Sequence, residues 1–415
     1  MYLLYALLYR CYIAFLRLGS LINPKARAFF AMRKESVQHY MPTSTWKGVN
    51  HNVLWVHCAS VGEFEQGRPV IESFRTRHPT WKIVVTFYSP TGYYQYKNWD
   101  NADLVLALPV DYRRQCIDFI ERIKPDHILW IRYDFWPQIY RVIAEWRIPL
   151  TLISGRIHKG HRLLSSHIVA KTMRKAITKF FTVDELSVSL LHNAGMSDAQ
   201  YAGDTRFDRV VSIASDSADK AIDALRIGGE KILVAGSTWH KDQEILALSM
   251  KKLIEMGWKV VLVPHEVNDL SINRCCQQFP QARLWSEVGW SLRDASLLII
   301  DTVGHLSGIY RVADIAYVGG GFETSGVHNI LEPMVYDLHV ISGPNISRSI
   351  EALSASKMGF LRTLGQRDDI VPVLETLFNA KKEGAITSWV KCQTGATDRI
   401  TDYLTNHPSI QERQS

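Results

Sequence analysis

The chain has 415 residues and a formal net charge of +7, with 47% hydrophobic and 21% charged residues. This composition excludes a disordered or fibrous protein, and the length exceeds what one ordinary core serves, so we expect two or three domains. The six cysteines show no CxxC spacing, which argues against a zinc site or a redox motif and fits a reducing compartment.

The N-terminal segment, MYLLYALLYRCYIAFLRLGSLI, is almost wholly apolar and aromatic, and residues 1–34 contain six basic residues and no acidic one. It lacks the charge order and the small-residue cleavage site of a secretory signal. Arg10 and Arg17 fall on one helical face, from which their side chains can snorkel to lipid headgroups. We predict a membrane-anchoring helix and basic flank over residues 1–35. A short transmembrane span and a helix packed on the protein's own core are the alternatives.

From residue 53 onward, short β-rich runs alternate with longer amphipathic runs, as in parallel sheets covered by helices. The first series of predicted strands covers residues 53–56, 82–87, 104–108, 127–131 and 150–153. The second series covers residues 232–235, 260–263, 297–300, 315–318 and 339–341. The pattern predicts an α/β fold with two Rossmann-like, doubly wound parallel-sheet domains, at residues 36–209 and 231–415, joined by a linker at residues 210–230. We expect the active site between them, at the carboxyl ends of the strands.

A glycine-rich segment, Gly319-Gly-Gly-Phe-Glu-Thr-Ser-Gly-Val-His-Asn-Ile-Leu-Glu-Pro333, follows the predicted strand at 315–318. A glycine-rich turn that opens a helix brings the backbone close to a ligand and points N–H groups at it. His328, Asn329 and Glu332 add a ring, an amide and a carboxylate for the hydroxyls of a ribose or sugar. Glycines also form ordinary tight turns, so the compound motif carries the prediction of a nucleotide site. There is no GxxxxGK[ST], and we expect one nucleotide rather than a dinucleotide.

The stretch Trp55-Val-His-Cys-Ala-Ser-Val-Gly-Glu63 passes from a strand through a turn into a helix, which places the Glu63 carboxylate at the helix N-terminus. Carboxylates are favoured there for stability alone, and the spacing by itself favours that capping role over a catalytic one. Arg132-Tyr-Asp-Phe-Trp-Pro137 and Gly203-Asp-Thr-Arg-Phe-Asp208 line the same predicted edge. Pro137 and Arg206 are equally explained as a turn former and a surface residue.

These motifs, in this order, resemble the 3-deoxy-D-manno-octulosonic acid (Kdo) transferases, the inner-membrane glycosyltransferases of lipopolysaccharide assembly. The resemblance covers nearly the full length. It rests on the apolar basic N-terminus, Ser60-Val-Gly-Glu63, Phe135-Trp-Pro137, Asp301-Thr-Val-Gly304 and, most specifically, Gly326-Val-His-Asn-Ile-Leu-Glu-Pro333. It implies a GT-B fold, inverting transfer of Kdo from CMP-Kdo to a lipid A precursor (lipid IVA), and neither metal nor cofactor. It also implies attachment to the cytoplasmic face of the inner membrane and no nucleic-acid partner.

The resemblance also implies roles for individual residues. Glu63 corresponds to the family's general base, which takes the proton from the acceptor hydroxyl. Arg206 stands where the family usually has a lysine, and it keeps the positive charge near the transition state. Arg132 replaces an acidic residue and cannot perform the same task; we expect it to contact the acceptor's phosphate or the Kdo carboxylate, while the acidic role passes to Asp134.

A second set of residues is implied in CMP binding. It comprises His265, Glu266, Val303, Gly304, His305, Asn329, Ile330, Leu331 and Glu332. His265 and Glu266 replace an Arg-His pair and His305 replaces an acidic residue, departures that we interpret as those of a divergent subfamily. Two other functions stay open at this point: a GT-B transferase for another nucleotide sugar, and a non-catalytic, membrane-associated protein that binds a nucleotide sugar.

Overall fold

The computed structural model describes residues 1–38, 52–132, 134–216, 225, 229–289, 295–380 and 383–411. The chain divides into two compact units, one of Met1–Arg209 with Thr394–Ser415 and one of Val210–Gln393. Each unit contains a seven-stranded sheet. Most of the predicted linker at residues 210–230 lies outside the described residues.

The sheet of the first unit has the strand order β3-β2-β1-β4-β5-β6-β7, and all its pairings are parallel. Its strands are β1 Val53–Cys58, β2 Lys82–Phe87, β3 Leu104–Ala107, β4 His127–Ile131, β5 Leu150–Gly155, β6 Lys179–Thr182 and β7 Ala199–Tyr201. Its helices up to residue 216 are α1 Tyr2–Gly19, α2 Pro24–Gln38, α3 Val61–Arg77, α4 Pro90–Tyr96, α5 Arg113–Ile123, α6 Pro137–Trp146, α7 Ile168–Ala176, α8 Glu185–Asn193 and α9 Thr205–Asp216, with a 3₁₀ turn at Arg162–Leu164. Leu54 and Val56 belong to one buried cluster and Val53 and Trp55 to another, so helices cover both faces of this sheet.

The sheet of the second unit has the order β10-β11-β9-β8-β12-β13-β14, again all parallel. Its strands are β8 Lys231–Thr238, β9 Trp258–Pro264, β10 Arg283–Leu284, β11 Leu297–Ile299, β12 Ile315–Val318, β13 His339–Ser342 and β14 Leu361–Thr363. Its helices are α10 His240–Glu255, α11 Asp269–Gln278, α12 Trp285–Val288, α13 Leu306–Ile309, α14 Leu331–Met334, α15 Ile350–Lys357, α16 Ile370–Asn379 and α17 Ala385–Cys392, with a 3₁₀ turn at Tyr310–Val312. The predicted fold class of two doubly wound parallel sheets is confirmed.

The end of the chain returns to the first unit, which corrects the predicted second domain of residues 231–415. Two last helices, α18 Ala396–Asn406 and α19 Pro408–Gln411, follow residue 394. The Asp208 carboxylate accepts the Gly395 N–H (2.6 Å) and the Thr397 N–H (2.9 Å) and so holds the start of α18. Ile400 and Leu404 are fully buried in a hydrophobic cluster of the first unit. This burial supplies the physical reason for the return.

Helix α1 packs on the first unit through one face and exposes the other. Tyr9 and Ile13 are buried, and the Tyr5 hydroxyl donates to Asp111 at 2.7 Å. Leu3 and Phe15, on the outer face, are 88% and 74% exposed. Among the described residues, this is the one helix whose length and composition suffice to cross a membrane. The inner face matches the alternative of a helix packed on the protein's core, whereas membrane contact by the outer face stays a prediction.

Candidate active site

The carboxyl ends of β1 and β4 meet at the point where the strand order of the first sheet reverses. Strand β1 pairs with β2 on one side and with β4 on the other, with Val56 in register with Leu129. In doubly wound sheets, the connections on either side of such a point leave towards opposite faces and open a ligand-binding crevice. Glu63 follows β1, and Arg132 and Asp134 follow β4, so these three residues belong to this point of the sheet.

Glu63 has both the geometry of a helix cap and the electrostatics of a catalytic base. Its carboxylate accepts the Ala59 N–H at 2.5 Å, and its own N–H donates to the Ser60 hydroxyl at 3.4 Å. Burial, helped by the nearby Asp134 charge, raises the pKa of Glu63 to about 7, although the Ala59 N–H and the Arg132 charge oppose the increase. A carboxylate with a pKa near neutrality is suited to accept a proton at physiological pH.

Asp134 is held in place by aromatic and histidine donors. Its carboxylate accepts the Trp136 indole N–H at 2.8 Å and lies 3.2 Å from His57 Nε2. The other ring nitrogen of His57 is 2.9 Å from the Thr86 hydroxyl. Because His57 is fully buried, its pKa is lowered, and a neutral ring with its proton on Nε2 satisfies both contacts. Sequence reasoning missed His57, although a histidine inside an otherwise apolar strand was a usable signal.

The positive charge of Arg132 acts on two carboxylates, that of Glu63 and that of Asp204, which is paired with Arg206. The Arg206 guanidinium binds Asp204 through Nη2 at 2.6 Å and Nε at 3.0 Å. Burial raises the pKa of Asp204, but the charge and hydrogen bonds of Arg206, together with the Arg132 charge, outweigh it and the net shift is downward. The backbone of Arg132 adopts φ 64, a strained value for a residue with a side chain. The three residues predicted as catalytic therefore lie at one edge of the first unit.

In the second sheet, β8 and β12 flank the corresponding reversal, with Gly236 in register with Val318. The sequence predicts a glycine-rich turn between the strand at residues 315–318 and a helix. In the structure, residues 319–330 form an irregular loop, and the short helix α14 begins at Leu331. Gly320 and Gly326 both adopt φ +88, which an α-helix does not accommodate. The His328 N–H donates back to the Gly319 carbonyl at 3.0 Å and closes the loop.

Gly319 packs against the end of β8 with no space for a side chain. A Cβ atom on Gly319 would lie 2.3 Å from the Ser237 carbonyl oxygen. Asp242 is buried beneath the loop and accepts the Gly320 N–H (2.9 Å) and the Trp239 N–H (2.8 Å). Burial raises the pKa of Asp242, while these N–H groups oppose the increase. Sequence reasoning missed this carboxylate, which joins the two strand ends.

Three rings cluster beside the loop. His265 stacks on both Trp239 and His328, with ring centroids 4.4 Å apart in each pair. The Trp239 indole N–H donates to His328 Nε2 at 2.8 Å. Burial, with the neighbouring His265, lowers the pKa of His328 to about 4, so the ring is a neutral acceptor. His265 was predicted to bind the donor, whereas its stacking on Trp239 and His328 was not predicted.

Of the remaining residues implied in CMP binding, Glu332 is held most firmly, by the Asn329 amide at 3.0 Å and the Ser307 hydroxyl at 3.0 Å. The side chains of Ile330 and Leu331 are fully buried, so only their backbone groups can face a ligand. This burial was not predicted.

The other four belong to surface loops after β9 and β11. Glu266 is exposed, Val303 is 78% exposed and Gly304 adopts φ +96. The His305 ring packs on Trp285 with centroids 4.8 Å apart. Their contact with a nucleotide stays a prediction. Among the described residues, no group of three or more His, Cys, Asp or Glu side chains is arranged to hold a metal ion.

The chain is similar in sequence to known transferases. Residues 30–209 match the family model of 3-deoxy-D-manno-octulosonic-acid transferase (kdotransferase). The 3-deoxy-D-manno-octulosonic acid transferase of Aquifex aeolicus is 26% identical over 360 residues, which cover 85% of this chain and 93% of that protein. The transferase of the same name from Chlamydia trachomatis is 27% identical over 311 residues, 72% of each chain.

Two further comparisons bear on extent and fold. A bifunctional glycosyltransferase/methyltransferase of Fusobacterium nucleatum is 25% identical over 343 residues, which cover 79% of this chain and 53% of that protein, so the chain spans about half of that relative. The UDP-GlcNAc 2-epimerase structure from Methanocaldococcus jannaschii is similar in fold, with a TM-score of 0.58 and 14% identity over 86% of this chain and 100% of that chain.

The two doubly wound parallel sheets define an α/β fold of the GT-B type. In sequence, the chain is similar to the 3-deoxy-D-manno-octulosonic acid transferases, over residues 30–209 for the family model and over most of its length for relatives that are 26–27% identical.

Proposed function

We propose that this protein transfers Kdo from CMP-Kdo to a lipid A precursor such as lipid IVA, with inversion at the anomeric carbon. The match of residues 30–209 to the family model and the names of the similar transferases support Kdo transfer. The CMP-activated donor and the lipid acceptor are part of the proposal. The single observation that carries the mechanism is the Glu63 carboxylate, which combines a position at a sheet switch point with a pKa raised to about 7.

In the proposed step, Glu63 removes the proton from an acceptor hydroxyl while that oxygen attacks the anomeric carbon of Kdo. The new glycosidic bond forms as the bond to the phosphate of CMP breaks, and CMP leaves with the electron pair. A single displacement of this kind inverts the configuration. Arg132 binds the Kdo carboxylate or the leaving phosphate, and Arg206 adds positive charge at the same edge.

The donor nucleotide binds at the edge of the second unit in this proposal. The N–H groups of Gly319, Gly320 and His328 bond within the protein, so in this proposal a phosphate binds to other backbone N–H groups of the glycine-rich loop. The flat surface of Trp239, His265 and His328 suits the cytosine ring. In this proposal, Glu332, which is held by Asn329, accepts hydroxyl groups of the ribose.

The test is transfer by the purified full-length chain, followed by mass measurement of the lipid product. CMP-Kdo and several uridine-activated sugars are offered separately with a lipid A precursor. We expect a mass increase of one or more Kdo residues with CMP-Kdo alone. Transfer from a uridine-activated donor would instead indicate another nucleotide-sugar transferase. Nucleotide binding without any transfer would indicate a non-catalytic binding protein.

We also propose that the outer face of α1 attaches the protein to the cytoplasmic side of the inner membrane. Because the inner face of α1 contributes to the core, substitutions on the outer face are a better test than deletion of the helix. The triple variant Leu3→Gln, Leu7→Gln, Phe15→Gln should move from the membrane to the soluble fraction with CMP binding unchanged. Leu248→Gln, at a 76% exposed leucine of the second unit, is the matched control. A triple variant that still sediments with membranes would place the anchor elsewhere.

A further inference from the structure

The first unit contains a cavity of about 660 Å³ bordered by α1, α2 and α5. Apolar side chains such as Ile13 and Phe30 form much of its wall. Four cations line it, against one carboxylate, Asp118; the cations are Arg17, Arg33, Lys34 and Arg122. A cavity with apolar walls and an excess of positive charge is suited to an anionic amphiphile, which has both an acidic headgroup and a hydrocarbon part.

Aromatic rings orient two of these cations. The Arg33 guanidinium lies 3.5 Å from the centroid of Phe29 and 4.9 Å from that of Tyr88, and Nη1 donates to the Phe29 carbonyl at 3.0 Å. The Arg17 guanidinium lies 5.4 Å from the centroid of Phe30. Stacking uses the flat face of a guanidinium, while the N–H donors on its edge are the groups that give arginine planar, bidentate recognition of phosphate.

The cavity lies at the same edge of the sheet as Glu63. Ala107, the last residue of β3, borders it, and β3 is followed in the sheet by β2 and β1. Arg33 contacts Tyr88, whose ring stacks on Trp136 with centroids 4.5 Å apart. Trp136 in turn donates to Asp134, so a continuous series of contacts connects the cavity with the carboxylates of the candidate active site.

We propose that this cavity binds the phosphate-bearing headgroup of the lipid acceptor, which presents its hydroxyl to Glu63. The cations bind the phosphate, and the apolar wall receives the adjoining acyl chain. The exposed outer face of α1 continues this apolar surface outward, where Leu18 is 65% exposed. This inference rests on the proposed function, because it assigns a phosphate subsite to the same acceptor.

The experiment compares two acceptors in detergent micelles: the phosphorylated lipid A precursor and the same lipid after enzymatic removal of its phosphates. Lys34→Gln with Arg122→Gln removes two cavity charges at exposed positions. We expect KM for the phosphorylated acceptor to rise about ten-fold or more with kcat nearly unchanged. KM for the dephosphorylated acceptor and the affinity for CMP should stay at wild-type values.

The matched control is Lys25→Gln with Arg114→Gln, which removes two exposed charges from the same two helices outside the cavity. It should behave as the wild type. An equal loss on both acceptors, or the same loss in the control, would overturn the subsite. A double variant that discriminates between the acceptors normally but no longer binds phosphatidylglycerol vesicles would assign the cavity to a bulk phospholipid instead.

Failure of the proposed function has a separate signature, which is absence of Kdo transfer by the wild type to either acceptor. The subsite is then decided by calorimetric binding of each lipid to the wild type and the double variant without donor. Selective loss of the phosphorylated lipid would support the subsite, and equal binding by both proteins would overturn it.

Discussion

The carboxyl edges of the two sheets have similar topology but differ in their charged groups. At the first edge, Glu63, Asp134 and Asp204 interact with the cations Arg132 and Arg206. The second edge presents a stack of neutral rings and a glycine-rich backbone, and its buried carboxylate, Asp242, is satisfied by N–H and O–H donors.

This difference separates the two tasks of a transferase. Charges kept in a partly buried site cost free energy, so we propose that proton transfer and charge stabilisation take place at the edge where they are concentrated. Stacked rings and backbone N–H groups suit a planar base and a phosphate and need no change of protonation. We therefore expect substitutions at the first edge to affect turnover, and substitutions at the second to affect nucleotide affinity.

Glu63→Gln should have the largest effect and gives the most direct test of this division. Glutamine is nearly isosteric and still accepts the Ala59 N–H, but it cannot take a proton. Turnover should fall by about 10² or more, while the CMP affinity of the second unit stays nearly unchanged. Product mass over time and calorimetric titration with CMP measure the two quantities.

Glu72→Gln is the control, since Glu72 lies further along the same helix and pairs with Arg68. It should retain near-normal turnover. A Glu63→Gln variant that also retains near-normal turnover would remove Glu63 from the mechanism and leave it as a helix cap.

The sequence predicted much of the fold because buried parallel strands are nearly continuous apolar runs. Five strands of each sheet were located in this way, whereas β6, β7, β10 and β14 were missed; three of these lie at or next to a sheet edge and have only two or three residues. The return of α18 to the first unit was also missed. It depends on Asp208 and Gly395, which are 187 residues apart, and no local pattern reports such a contact.

The candidate site was predicted only in part. Glu63, Arg132 and Arg206 were placed at one edge, since strand ends in a parallel sheet share an edge. Two features of the site depend on tertiary contacts and were not predictable: the pKa of Glu63, which results from burial beside Asp134, and the hydrogen bond of Asp134 with His57. The glycine-rich turn after β12 was predicted, but the shape of the loop at residues 319–330 was not, because glycine clusters do not reveal which φ values they adopt.

The two edges should also respond differently to pH. Since burial raises the pKa of Glu63 to about 7, kcat/KM should rise with pH through a midpoint near 7 as the carboxylate ionises. The pKa of His328 is lowered to about 4, so protonation of this ring should contribute no inflection to the CMP affinity between roughly pH 5.5 and 8, once the ionisation of the CMP phosphate is subtracted.

Asp134→Asn sharpens the pH prediction, because the negative charge of Asp134 contributes to the raised pKa of Glu63. The midpoint of kcat/KM should move to lower pH by up to about one unit. The Glu72→Gln control should keep the wild-type midpoint. A profile whose midpoint does not move would show that another group titrates near neutrality.

A smaller effect is expected on stability. A carboxyl group whose pKa is raised on folding stabilises the fold below its unfolded pKa, and this contribution is lost as pH rises through the folded value of about 7. Glu63→Gln removes the free-energy cost of ionising this buried carboxyl group. At pH 8 the free energy of unfolding of the variant should therefore exceed that of the wild type by roughly 1–3 kcal/mol, and the variant should unfold at a higher temperature. The two should converge near pH 4.5. Equal melting temperatures at pH 8 would mean that Glu63 is ionised without cost.

The smallest expected effect is that of metal removal, for which we predict none. Metal-dependent transferases commonly hold a cation between a DxD pair and a diphosphate, and this chain contains no DxD. CMP-Kdo presents a single phosphate, and Arg132 and Arg206 at the first edge can balance the charge of the leaving group. Turnover in excess EDTA should therefore equal turnover in magnesium at matched ionic strength and lipid dispersion. The contrary result would be a loss of turnover in EDTA that one added metal restores. It would mean that the first edge lacks sufficient positive charge for the leaving group. The assignment of charge stabilisation to that edge alone would then be wrong.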